Sequence, residues 1–252
     1  MRRMALLGVE LDAVVMADLH ALIDQSAAER AKSIIANHNL HSVYLYHRDP
    51  RMRALYRQAG CVHIDGMPLV FVGWLLGLDL RPEHRVTYVD WVRPLMQFAA
   101  SRGLKVFYVG SAPGVAERAA AALHRENPGL QMATHHGYVG TRAGDADNEQ
   151  VLAAIQQYAP DILMVGMGMP RQEHWILDNL ERINAHAILT SGACMDYVAG
   201  VVPTAPRWMG RAGLEWLFRL WSEPSRLWRR YLLEPWYLLF LLARYGRRPR
   251  LD

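Results

Sequence analysis

The chain is 252 residues long, 52% hydrophobic and 21% charged, which is enough apolar material for a large core and excludes a disordered protein. Its net charge of +4 is unevenly placed: residues 201–252 carry ten arginines against three glutamates and one aspartate, leaving everything before them slightly acidic. Cys61 and Cys194 are the only cysteines, both in apolar sequence, so a disulfide framework and a CxxC metal pair are excluded and a reducing cytoplasm is expected.

The opening stretch MRRMALLGVELDAVVM imitates a signal peptide, but Glu10 and Asp12 interrupt its apolar run and no small-residue cleavage site follows. It is read here as the first strand. No uninterrupted apolar run reaches the roughly eighteen residues that a membrane-crossing helix needs.

Up to about residue 200, short β-branched apolar runs alternate with amphipathic helical segments, the pattern of a parallel sheet covered by helices. An early run ends in IIANHNLHS, where the amides of Asn37 and Asn39 either form turns or orient a sugar or base. The next ends in CVHIDG. Asp65 there is either the cap of a helix whose first turn holds Pro68, or a carboxylate at a crevice that takes a proton from an attacking hydroxyl.

LKVFYVGSAPG then predicts a strand over Val106–Val109 and a turn beginning at Gly110. PDILMVGMGMPRQEHW repeats the plan, with Arg171, Gln172, Glu173 and His174 opening a helix; HAILTSGACMDYVAG makes a third. Glycine-bearing turns beyond the carboxyl ends of parallel strands are where backbone N–H groups approach phosphate, and four together point to a nucleotide-type ligand. None matches GxGxxG or GxxxxGK[ST]. GDADN, residues 144–148, contains a DxD pattern, but Asp147 reads as a helix cap. The histidines form no HxxxH or HExxH arrangement, so no bound metal is expected.

After AGVVPTAP the chain becomes rich in Arg and Trp, with helical stretches broken near Pro224 and Pro235. Five of the eight tryptophans lie here, a composition suited to an anionic interface such as a membrane surface or phosphates. Arg219, Arg226 and Arg229 would share one face of a continuous helix and could neutralise a diphosphate.

The stretches IDGMP, RVTYVDW, VFYVGSAPGVAERAAAAL, HHGYVG, PDILMVGMGMPRQEHWI, SGACMDYVAG and GLEWLFRLWSEPSRLWRRYL together resemble the WecG/TagA/CpsF family of bacterial glycosyltransferases over nearly the whole chain. The resemblance implies a Rossmann-like α/β fold, with a mostly parallel sheet, flanking helices and a helical Arg/Trp-rich C-terminal appendage. It divides the chain into a catalytic domain, 1–200, and a membrane-associating appendage, 201–252, that closes the active site. It implies inverting transfer from a UDP-sugar to a polyprenyl-diphosphate-linked saccharide, without cofactor or metal, on the inner face of the cytoplasmic membrane. A homo-oligomer is allowed and no nucleic-acid partner is expected.

On this resemblance Asp65 is the base, and Asn37, Asn39, Arg85, Asp90, Gln172, Arg219, Arg226 and Arg229 bind substrate; Gly110 of the glycine turn and Glu173 of the polar helix start are expected to join them. Tyr88 and Val89 stand where the family usually has Gly-Ser, and Thr204 where it usually has arginine. A tyrosine beside the sugar pocket would change which hexose fits, which keeps UDP-glucose beside UDP-N-acetylmannosamine and its uronate as donors. A NAD-using sugar-nucleotide enzyme would require the missing dinucleotide fingerprint. A non-catalytic membrane scaffold would explain the tail but leave the polar groups at the strand ends without a purpose.

Overall fold

The structure, a computed structural model, describes residues 2–140, 144–206, 208–209 and 214–246, with the side chains of Glu215 and Arg226 outside that description. Its centre is a six-stranded parallel sheet in the order β4-β3-β8-β7-β5-β6. The strands are β3 (Ser33–His38), β4 (Ala59–Ile64), β5 (Lys105–Gly110), β6 (Gln131–His135), β7 (Ile162–Gly166) and β8 (Ala187–Thr190).

Alternation along the strands divides the core into two layers, because successive side chains leave a strand on opposite faces. Val106, Tyr108, Ile162 and Met164 face one side, with Leu19 and Ile23 of α1 (Met16–Glu29), Trp91 and Leu95 of α5 (Tyr88–Arg102) and Ala119 of α6 (Val115–Glu126). Phe107, Val109, Leu163 and Val165 face the other, with Met52 and Leu55 of α3 (Pro50–Gln58), Ile155 of α7 (Ala146–Tyr158) and Trp175 of α8 (Arg171–Asn179). A sheet covered on both faces explains why the central strands read as unbroken apolar runs.

The N-terminal stretch is two strands rather than one. β1 (Arg2–Leu6) and β2 (Val9–Ala13) form an antiparallel hairpin, a sheet of their own. Leu7 and Gly8 both take positive φ, 53° and 77°, as a tight two-residue hairpin turn requires. Asp12, which broke the signal-like run, is buried: it accepts from Val62 N–H at 2.8 Å and pairs with Arg3 at 3.0 Å, tying the hairpin to β4.

A third apolar cluster joins this hairpin to α2 (Leu40–Arg48), α4 (Met67–Leu75) and the final described helix, Glu234–Tyr245. Leu238 and Leu241 of that helix pack among Leu6, Leu7, Val9, Val43 and Leu69. The intervening appendage is a helix over Glu215–Ser222, a short one over Pro224–Trp228 and a π-helical turn over Arg229–Leu233. Pro224 and Pro235 therefore open helices, in first turns where a missing N–H costs nothing. GDADN also differs from expectation: Asp145 is the N-cap of α7, and Asp147 lies within its first turn.

Candidate active site

The chain builds from β3 to β4 towards one sheet edge and from β5 to β6 towards the other, while β8 and β7 fill the middle. The crevice beyond the carboxyl ends of β3, β8 and β7 is thus where an open α/β sheet accepts ligands.

Asp65 follows the last residue of β4. Its N–H donates to the carbonyl of His38 at 2.9 Å, while Val86 N–H donates to Ile64 at 2.8 Å, so the backbone is held from both sides. Gly66 is the N-cap of α4, which removes the capping role for Asp65. Its carboxylate instead accepts from Asn39 Nδ2 at 3.3 Å. Asn39 does cap a helix: its Oδ1 accepts from Ser42 N–H at 3.1 Å at the start of α2. That bond fixes which end of the amide is oxygen and directs the NH₂ towards Asp65.

Asn37 lies on β3, buried, with Nδ2 donating to the carbonyl of Thr190 at 2.6 Å and to its hydroxyl at 3.2 Å. Its Oδ1 has no hydrogen-bond partner among the described residues. Arg85 runs beside the end of β4 and pairs with Asp90, in the first turn of α5, at 3.4 Å.

Behind Asp65, His63 is fully buried, its ring edge-on to Tyr88 and Trp91. Burial lowers its pKa to about 4, against the attraction of Asp65. Tyr88, expected beside a sugar pocket, is instead buried in this wall, and burial raises its phenol well above the usual value, with Cys194 and Asp65 adding to the shift.

The four residues opening α8 separate. His174 bonds Asp49 at 2.6 Å and Arg171 donates to the carbonyl of Val139, whereas Gln172 and Glu173 are fully buried. Gln172 Nε2 donates to Glu173 Oε1 at 2.7 Å and its Oε1 accepts from Gly192 N–H at 3.1 Å, linking the turns after β7 and β8. Burial raises the Glu173 carboxyl to about 7, with the bond from Gln172 opposing.

Gly110 is needed for close packing. A Cβ there would lie 2.5 Å from the Gly166 carbonyl oxygen and 2.4 Å from the Tyr108 hydroxyl. Among the described residues, no three His, Cys, Asp or Glu side chains are grouped as metal ligands.

The appendage arginines divide differently from their sequence spacing. The helix holding Arg219 stops before Pro224, so no continuous helix joins the three. Arg229 is exposed, its guanidinium 5.3 Å from the Trp228 ring centre. The Arg226 side chain lies outside the described residues. Arg230, which the spacing missed, reaches the crevice: its Nη2 donates to Asn39 Oδ1 at 3.3 Å. Burial lowers its pKa, Arg219 lowers it further, and Tyr231, Glu234 and Asp65 oppose the shift. Arg219 and Arg230 therefore share one electrostatic neighbourhood with Asp65.

The arrangement sets a carboxylate at a crevice, an amide that orients it, and a guanidinium bonded to the same amide. A carboxylate so placed can remove a proton from a bound hydroxyl, and guanidinium groups can stabilise a departing anion.

The model of a family described as Glycosyl transferase WecG/TagA/CpsF matches residues 4–252. Proteins of Staphylococcus aureus strains MRSA252 and NCTC 8325 / PS 47, each named N-acetylglucosaminyldiphosphoundecaprenol N-acetyl-beta-D-mannosaminyltransferase, are 26% identical over 235 residues, covering 88% of this chain and 87% of theirs.

Proposed function

Because the chain belongs to the WecG/TagA/CpsF family and is a glycosyltransferase, we propose that it transfers a hexose-type sugar, with inversion, from a UDP-sugar to a polyprenyl-diphosphate-linked saccharide in cell-envelope glycan synthesis. The observation that carries this reading is the chain of contacts Asp65–Asn39–Arg230, with both hydrogen bonds at 3.3 Å. It brings a carboxylate and a guanidinium from opposite parts of the sequence to one amide, which supports a base and a counter-charge at one crevice.

In the proposed reaction the acceptor hydroxyl attacks the anomeric carbon from the face opposite UDP. Asp65 receives the hydroxyl proton, the bond from the anomeric carbon to the diphosphate oxygen breaks, and UDP leaves with the electron pair. Arg230 and Arg219, with Arg226 of the same appendage, supply the counter-charge in place of a metal. Asn39 holds the carboxylate, and the buried Gln172 bond to Gly192 braces the turns between which the donor sits. Asn37, whose carbonyl oxygen is unbonded among the described residues, and Arg85 with Asp90 line the remaining wall.

Residues 1–200 form the catalytic part and 201–252 the appendage that completes it on the cytoplasmic membrane surface. Among the described residues no helix is long and apolar enough to cross a membrane, which fits peripheral attachment. The names of the staphylococcal relatives make UDP-N-acetylmannosamine the first donor to test, with UDP-glucose next. The experiment is UDP release from a panel of UDP-sugars with a detergent-dispersed prenyl-diphosphate saccharide. Acceptor-dependent release with one donor, lost in Asp65→Asn, supports the reading; no release with any donor and native lipid extract overturns it.

A further inference from the structure

The segment that follows Asp65 has no charged side chain from Gly66 to Leu78, and its helix, α4, is apolar on every side. A helix of that kind is normally enclosed. This one is not: Phe71, Trp74 and Leu75, spaced i, i+3 and i+4 on one face, are 56%, 63% and 62% exposed. The opposite face, with Leu69, Val70 and Gly73, is packed into the cluster shared with the hairpin and the final helix. α4 is also locked in this orientation, because Leu80 presses on Gly73 so closely that a Cβ there would lie 2.3 Å from Leu80 Cδ1. The helix cannot roll to hide its outer face.

The final helix has the same design. Leu238 and Leu241 point into that cluster, while Trp236, Leu239 and Phe240, again i, i+3 and i+4, are each more than half exposed. The two helices meet where Gly246 approaches Leu76, 3.5 Å from the position of a Cβ on Gly246. Two exposed apolar triplets thus project from helices sharing one support, the second of them within a stretch, residues 201–252, whose sequence carries ten arginines. Exposed aromatic and aliphatic side chains together with a strongly basic stretch of sequence match the chemistry of an anionic bilayer interface.

We propose that α4 is a second membrane-contacting element: Phe71, Trp74 and Leu75 enter the interfacial layer of an anionic bilayer beside the final helix, setting Asp65 at headgroup depth. The inference rests on the peripheral-membrane reading above and extends it from the appendage into the catalytic part. It accounts for the position of the base, one residue before the α4 cap, since a lipid-held acceptor presents its sugar just above the headgroups.

The test is co-sedimentation of the full chain with phosphatidylethanolamine/phosphatidylglycerol vesicles. Three forms are compared: wild type, Phe71→Gln/Trp74→Gln/Leu75→Gln, and Trp236→Gln/Leu239→Gln/Phe240→Gln. The α4 variant should bind about tenfold or more weakly, while its UDP release with a detergent-dispersed short-chain acceptor stays at the wild-type level. As a second readout, Trp74→Cys is labelled with a polarity-sensitive dye. Cys61 and Cys194 are buried, with thiols pushed up to about 12 by that burial, so the dye reports position 74 alone. Vesicles should shift its emission to the blue.

Wild-type binding by the α4 variant, with binding lost in the final-helix variant and no dye shift, overturns this inference and leaves the membrane reading standing. Failure of the wild type itself to bind vesicles overturns both. Conversion of a wild-type oligomer to monomers by the α4 changes, with vesicle binding intact, assigns the face to a second copy and also overturns it.

Discussion

The crevice floor and the appendage hold their functional groups by different means. Asn37, Asn39 and Asp65 are fixed by the hydrogen-bond ladder of β3 and β4, which continues one residue past the strands to the Asp65 N–H. Arg219 is carried by a short helix that ends before Pro224, and Arg230 by the π-helical turn that follows the next short helix. Position in the first region follows from strand register, whereas in the second it depends on where each turn changes its winding. The proposed base is thereby preset by strand register, and the proposed counter-charge is placed by the winding of the appendage.

The sharpest way to break this comparison is Asp65→Asn. It should lower kcat by about 10²–10⁴-fold, the usual worth of a positioned base, with folding unchanged by circular dichroism. Near-normal turnover would remove the base from the floor.

Next in size is a contrast between two tryptophans. Trp175 is fully buried, with its indole N–H donating to Asn148 at 2.7 Å, whereas Trp221 is 88% exposed. Trp175→Ala should cost about 3–5 kcal/mol in urea unfolding, and Trp221→Ala about 0.5 kcal/mol or less. Equal costs would mean that the appendage is as firmly packed as the sheet.

Glu173 sharpens the floor's side of the contrast. Its folded pKa, about 7, lies above the ordinary 4.5, so the native state keeps a proton that the unfolded chain releases. Its contribution is fully present below about pH 4.5 and is lost as pH rises through about 7. Glu173→Gln keeps the oxygen that accepts from Gln172 and removes this dependence. Relative to wild type, the variant should gain on the order of 3 kcal/mol between about pH 4.5 and pH 8, measured by urea unfolding at both. A constant difference would mean that the carboxyl titrates normally.

The smallest effects separate two neighbouring arginines. Arg230→Ala should lower kcat/KM by about 10–100-fold through loss of its bond to Asn39 and its charge near Asp65. Arg229→Ala should change it by about twofold or less, since that side chain is solvated. The reverse order in steady-state UDP release would place the other arginine at the crevice.

These pairs also show what the sequence could reveal. The parallel sheet was legible because ILMV and KVFYV are apolar runs of strand length followed by glycine turns. Asp65 was legible as a lone carboxylate at a strand end, though only the position of Gly66 removes the cap from the two readings. Arg230 was not legible. Reading Arg219, Arg226 and Arg229 as one face assumes an unbroken α-helical period, and the proline break and π-helical turn change that phase. Gln172 and Glu173 read as a polar helix start, because nothing local tells that β8 and its following turn will bury them. The hairpin was hidden for a related reason: Asp12 reads as an interruption of an apolar run until Val62 and Arg3, distant or across the turn, satisfy it.

The packing of the Glu234–Tyr245 helix on the β1–β2 hairpin has a consequence for how the molecule is made. Leu6, Leu7 and Val9 leave the ribosome more than 200 residues before Leu238 and Leu241, the side chains that cover them. During that interval the hairpin offers an open greasy seat to any chaperone or neighbouring nascent chain. The Arg230 contact to Asn39 waits almost as long, since 191 residues separate the two partners.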